Sequence, residues 1–147
     1  MFEHILVPTD GSRLGNKAVK AAVKFASGLN ARITFYQAIE NSAMLYGADG
    51  FSVPAETIES MDRAMRKTAQ TNLDAAVKQA SAKGIACDAV IGKQFVPWEG
   101  IVETARKKKC DVIFMASHGR RGIAGVVLGS VTHQVLTHSK IPVVVFR

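Results

Sequence analysis

The sequence predicts an α/β fold: an open five-stranded parallel sheet with helices on both faces. Three observations carry that prediction. Short runs rich in Val, Ile and Phe alternate along the chain with longer stretches of helical period. Successive runs are separated by enough residues for the helical crossover that parallel pairing requires. The first and fourth runs are the most uniformly apolar of the internal ones, which places them at the centre of a sheet covered on both faces.

The first strand is residues 4–8, HILVP. The helix after it runs from Ser12 to Leu29, with Ala18, Val19, Ala22, Phe25, Ala26 and Leu29 recurring at spacings of three and four. Ser12 is its candidate N-cap and Gly28 marks its frayed end. Residues 32–39, RITFYQAI, form the second strand. Residues 40–55, ENSAMLYGADGFSVPA, are the one long irregular connection, readable as a lid or mobile excursion or as a plain surface insertion. A long helix from Glu56 to Lys83 carries Ile58, Met61, Met65, Ala69, Leu73, Ala76 and Ala80 on one stripe, with Pro54 ahead and Gly84 past its end, and Met61 and Met65 read as core. The third strand is 86–91, ACDAVI, and the third helix runs from Trp98 to Lys108. Lys107, Lys108 and Lys109 close that helix, where cations complement the negative end of the dipole. Phe95 and Trp98, in the turn before it, read as packing against the sheet or the helix start. The fourth strand is 111–116, DVIFMA; the fourth helix, Ser130 to His138, ends at Lys140-Ile141-Pro142; and 142–146, PVVVF, is the fifth strand.

A chain of 147 residues is about one domain, residues 1–147, and buries a core without disulfides or metals. With 48% apolar and 21% charged residues it is too apolar for disorder. No apolar run approaches membrane-spanning length and the N-terminus lacks a signal-peptide pattern, so the cytoplasm is the expected compartment. Cys87 and Cys110 have no Cys or His neighbour at metal-ligand spacing and read as buried thiols. The net charge of +7 favours anionic partners at long range. No RNA- or DNA-binding motif accompanies it, so nucleic acid is not the expected partner.

In an open parallel sheet, ligands bind outside the carboxyl ends of the strands. The first and fourth strands end in Thr9-Asp10-Gly11-Ser12 and Ser117-His118-Gly119, so their polar groups converge on one crevice. The fourth strand opens into SHGRRGIAGVVLGS, residues 117–130. This loop has neither the lysine of a Walker A motif nor GxGxxG spacing. It does deliver Gly129, Ser130, Val131 and Thr132 to a helix start, where unpaired amides and the positive end of the dipole suit a phosphate. Gly119 and Gly122 allow close backbone approach, and Ser130 and Thr132 add hydroxyl donors. The competing account is a glycine-shaped turn with Ser130 as a plain N-cap.

Neighbouring groups also carry two accounts each. Asp10 orients a ribose or helps hold a phosphate-bound Mg2+, or else makes an Asx-turn into Gly11. His118 touches phosphate or satisfies loop backbone groups; it is not taken as a catalytic base. Arg120 and Arg121 fork onto a terminal phosphate or stand in solvent. His133 and His138, five residues apart on different helix faces, do not suit a metal.

HILVPTDGS, DVIFMASHGRRG, LGSVTHQVL and IPVVVF together resemble the universal stress protein family over the whole chain. The family signature G-x2-G-x9-G-[ST] is here Ala116-x2-Gly119-x9-Gly129-Ser130, with alanine in place of the first glycine. A positive φ at Ala116 would cost about 1–2 kcal/mol; otherwise its methyl crowds a sugar. The resemblance implies strand order 3-2-1-4-5 and an ATP site. In it Pro8, Thr9 and Asp10 contact the nucleoside, Ala38 lies against adenine, and Ala116, Gly119, Gly129, Ser130, Val131 and Thr132 surround ribose and phosphates. It also implies a homodimer through the C-terminal strand, IPVVVFR, an exposed edge in that order. No hydrolytic constellation is evident, which implies an ATP-holding stress-response module with slow or no hydrolysis, at most a weak ATPase. The alternative is a dimeric interaction protein of the stress response that acts without nucleotide.

Overall fold

The computed structural model describes residues 1–43, 53–94, 96–119 and 128–147. Its described elements are β1 (His4–Pro8), α1 (Arg13–Leu29), β2 (Arg32–Glu40), α2 (Ala55–Ser81), β3 (Cys87–Gln94), α3 (Pro97–Lys107), β4 (Val112–Ala116), α4 (Ser130–His138) and β5 (Val143–Phe146). The strands form one sheet in the order β3-β2-β1-β4-β5, parallel throughout, as the sequence leads one to expect.

Alternation along the strands divides the core into two layers. Ile5, Val7, Ile33, Phe35, Val112 and Phe114 pack beneath α1 and α2, against Val19, Ala22, Leu73 and Ala76. Leu6, Tyr36, Ile113 and Met115 face the opposite way, toward Ile101 and Ala105 of α3 and Val135 of α4. β1 lies at the centre, so Ile5, Leu6 and Val7 are wholly buried. Among the described residues, no helix is long and apolar enough to cross a membrane.

Four expectations are corrected. α1 runs through Gly28 and stops at Asn30, which takes the left-handed conformation (φ 55°) and returns its amide to the Ala26 carbonyl. Asparagine tolerates that geometry nearly as well as glycine. Met61 and Met65 are only half-buried; the stripe of α2 that reaches the core is Ala69, Leu73, Ala76 and Ala80. Cys110 is buried, but Cys87 on edge strand β3 is only half-buried. β3 extends three residues past Ile91 to Gln94, where Lys93 pairs with Asp62 of α2, and Asp62 also accepts from Ser42 at 2.9 Å. That tie roots the described start of the 40–55 connection; its residues 44–52, and Phe95, lie outside the described residues.

Candidate functional site

β1 ends in a turn built from its own side chains. Asp10 Oδ1 accepts from the Ser12 amide at 2.9 Å, an Asx-turn, and Thr9 Oγ1 accepts from the Gly11 amide at 3.3 Å. Gly11 sits at φ 73°, a conformation that favours glycine, and a Cβ there would come 2.3 Å from Asn72 Nδ2 of α2 and push that side chain aside. Ser12 then caps α1, its Oγ accepting from the Gly15 amide at 3.0 Å. The Thr9 amide donates to the Tyr36 carbonyl at 2.8 Å, which fixes the end of β1 against β2.

β4 ends differently. Ala116 stays in extended strand, paired with Phe146, and is not among the described residues of positive φ, so its methyl brings no backbone strain. Buried Ser117 donates its amide to the Phe146 carbonyl at 2.7 Å and accepts at its own carbonyl from the Gly129 amide, also at 2.7 Å. This second bond folds the loop back so that α4 begins beside the end of β4. His118 Nδ1 lies 3.1 Å from the Ser117 hydroxyl, its partner among the described residues. A methyl on Gly119 would fall 2.4 Å from Asp10 Oδ2, and one on Gly129 would fall 3.0 Å from His118 Cα. The ends of β1 and β4 and the start of α4 therefore meet closely, with backbone against Gly129 and the Asp10 carboxylate against Gly119.

The two helix starts on this rim contrast. α1 is capped by Ser12, whereas α4 begins at Gly129 with no side-chain cap among the described residues. Ser130 is the first helical residue, not the cap, and is exposed. The leading amides of α4 and the positive end of its dipole are thus directed at the rim. Thr132 departs from expectation: its hydroxyl is buried and donates to the Ala116 carbonyl at 3.0 Å, which commits it to holding α4 on β4 and leaves Ser130 as the hydroxyl facing outward.

Pro8, Thr9, Asp10, Ala116, His118, Gly119, Gly129, Ser130, Val131 and Thr132 are thus gathered by three elements. Ala38 stands on β2, two residues beyond Tyr36, half-buried and packed on the layer beneath α3. Arg120, Arg121 and Gly122 lie outside the described residues. Sequence reasoning places Ser117 at the crevice but not the role of its carbonyl in positioning α4, and it passes over Asn72, which abuts Gly11 and donates to Gln37 Oε1 at 3.2 Å. The glycine at position 11 is the available signal for Asn72, since a close approach is one of the reasons glycine is needed. Among the described residues no group of His, Cys, Asp and Glu is arranged to hold a metal, so a cation here would arrive with phosphates and meet Asp10 at most. The residues present fit a phosphorylated ligand: an uncapped helix start, a neighbouring glycine without a side chain, and a net charge of +7.

The sequence model of the universal stress protein family matches residues 1–147. Universal stress protein YxiE of Bacillus subtilis is 29% identical, with all of each chain covered. Universal stress protein MJ0531 of Methanocaldococcus jannaschii is 29% identical over all of this chain and 83% of its own length. Among solved structures, MJ0577 superposes with a TM-score of 0.84 at 25% identity, over 99% of this chain and 95% of its own. A universal stress protein in complex with cAMP superposes at 0.68 with 27% identity, covering 99% and 97%.

Proposed function

The chain belongs to the universal stress protein family, and from that premise we propose that it is a one-domain stress-response module that binds ATP, with Mg2+ accompanying the phosphates, and hydrolyses it slowly or not at all. The observation that carries this reading is the uncapped start of α4 beside Gly119 and Asp10. The triphosphate lies along the amides of Gly129, Ser130 and Val131, the ribose near Asp10 and Ala116, and the base against Ala38, with Pro8 and Thr9 beneath the nucleoside. His118 stands beside the phosphates, and Arg120, which follows Gly119 in the sequence, is the candidate guanidinium partner for them. The adenine nucleotide held by the relative crystallised with cAMP supports the choice of base. No described group stands ready to activate water, which favours holding over hydrolysis. Calorimetric titration of the purified chain with ATP and Mg2+ tests this reading: saturable binding near one nucleotide per chain is expected, and absence of heat at millimolar concentrations contradicts it.

A second reading is favoured by β5. Val143, Val144, Val145 and Phe146 are all half-exposed on an edge strand, and Phe146 continues, through Phe114, an open apolar groove lined by Phe25 and Leu29. Such an edge pairs with another copy, which would make the protein a homodimer whether or not nucleotide is bound. Sedimentation at tens of micromolar is expected to give twice the chain mass, with and without ATP; a monomer mass contradicts the dimer.

A further inference from the structure

Tyr36 is a large polar side chain that the site described above does not use. It is 1% exposed, and its phenol runs sideways from β2 beneath β3 and α3. A methyl on Gly92 of β3 would lie 2.2 Å from Tyr36 Oη, and one on Gly100 of α3 would lie 2.1 Å from it. Two glycines therefore make the slot in which the hydroxyl ends. Yet the hydroxyl has no hydrogen-bond partner among the described residues. A buried donor left unpaired destabilises the fold, and phenylalanine would fill the same slot without that cost. Burial and the nearby Glu103 carboxylate push the phenol up to about 12, so it is a donor throughout the physiological range.

The slot adjoins the wall assigned to the base. Ala38 and Tyr36 project to the same face of β2, about 7 Å apart, and Ala38 pairs in register with Gly92, the residue the hydroxyl abuts. The hydroxyl therefore ends at the level of Ala38. Its surroundings on that side, Ala38, Gly92 and Gln94, are half-exposed although the hydroxyl is not. Gln94 Cγ would sit 2.6 Å from a methyl on Gly100, which places this flexible side chain over the slot.

We propose that the Tyr36 hydroxyl is a base-reading donor: with Gln94 drawn aside, it donates a hydrogen bond to an acceptor on the edge of the base that rests on Ala38. This rests on the nucleotide site proposed above and adds a specificity residue to it. The pairing satisfies a group that is unsatisfied in the free protein, so its benefit is realised only when a base arrives.

The test compares the full chain with Tyr36→Phe by calorimetry against three probes: ATP, adenosine and inorganic tripolyphosphate. Tyr36→Phe is expected to weaken ATP and adenosine about tenfold and to leave tripolyphosphate unchanged. Without ligand the variant is expected to melt at or above the wild-type temperature, since it removes only an unpaired hydroxyl. ATP and adenosine binding indifferent to Tyr36→Phe would overturn the proposal while leaving the nucleotide site standing, and so would a variant that melts several degrees lower without ligand, because the hydroxyl would then have a structural partner. A wild-type chain that takes up none of the three probes would overturn the nucleotide site and this proposal together.

Discussion

The two ends of the sheet are built from similar residues and finished in opposite ways. At the amino end, polar side chains pair with one another inside the protein, apart from His4 Nδ1, which is buried with no partner among the described residues. Asp111 accepts from the amides of Glu3 and His4 at 2.8 and 3.1 Å, and its own amide returns to the His4 carbonyl at 2.9 Å. His4, Thr34 and Asp88 form a row across β1, β2 and β3 that Lys108 closes at 2.6 Å. Thr34 gives its one hydrogen to Asp88, so His4 Nε2 must donate to Thr34, and neutral His4 carries its proton there. At the carboxyl end, no side chain among the described residues caps α4, and its N-cap position is a glycine. The contrast teaches that a binding rim is marked less by charge than by backbone donors that the fold leaves for something else to satisfy.

Breaking the carboxyl rim should have the largest effect. The methyl of any residue at 129 meets the backbone of Ser117 and His118, which cannot swing away. Gly129→Val is therefore expected to cost about 1–3 kcal/mol of stability and to abolish ATP binding, as read by thermal melting and calorimetry. Gly119→Val is gentler on the fold, because Gly119 is exposed and a side chain there meets the mobile end of the Asp10 carboxylate. It is expected to cost about 1 kcal/mol or less in stability but more than tenfold in ATP affinity, a loss above about 1.4 kcal/mol.

The amino end should respond to pH instead. Burial, followed by the Arg32 charge, lowers the pKa of His4. The unfolded chain therefore takes up a proton near the ordinary histidine value of about 6.5 while the folded chain resists it. The stability that His4 contributes is present above that value and is lost as the pH falls below it, by at most about 1.4 kcal/mol per pH unit. Asp88 adds in the same direction at lower pH: burial works to raise its pKa, but hydrogen bonds from Lys108 and Thr34 hold it below the usual carboxylate value. Urea melts between pH 7 and pH 5 should show the decline, and His4→Gln should flatten its upper part without changing ATP affinity. The smallest effect is expected at position 116, where the extended backbone leaves only the methyl's size to matter. Ala116→Gly should tighten ATP binding by a few-fold, and unchanged affinity would show that the methyl does not touch the sugar.

How far these two ends can be read from sequence differs for a physical reason. The five strands follow from short apolar runs and the four helices from periodicity and end signals, and their boundaries shift by no more than three residues. The meeting of Asp10 with Gly119 is implied once β1 and β4 are taken as neighbouring internal strands ending on one side. Thr132 misleads because a hydroxyl at a helix start looks available until its distance to the Ala116 carbonyl is known. The row from His4 to Lys108 and the slot of Tyr36 leave no local trace, since each joins residues from separate elements and depends on which face of the strand they share. The stop of α1 at Asn30 was open to either residue, because asparagine and glycine both adopt the left-handed turn and Gly28 stood nearer the expected end.

The most direct test of the contrast is to follow backbone amide resonances of the wild-type chain as ATP and Mg2+ are added. The amides of Gly119, Gly129, Ser130 and Val131 should move together and saturate, while those of His4, Thr34, Asp88 and Lys108 stay in place. A spectrum that does not change at millimolar ATP, or one whose changes centre on the His4 end of the sheet, would contradict the account.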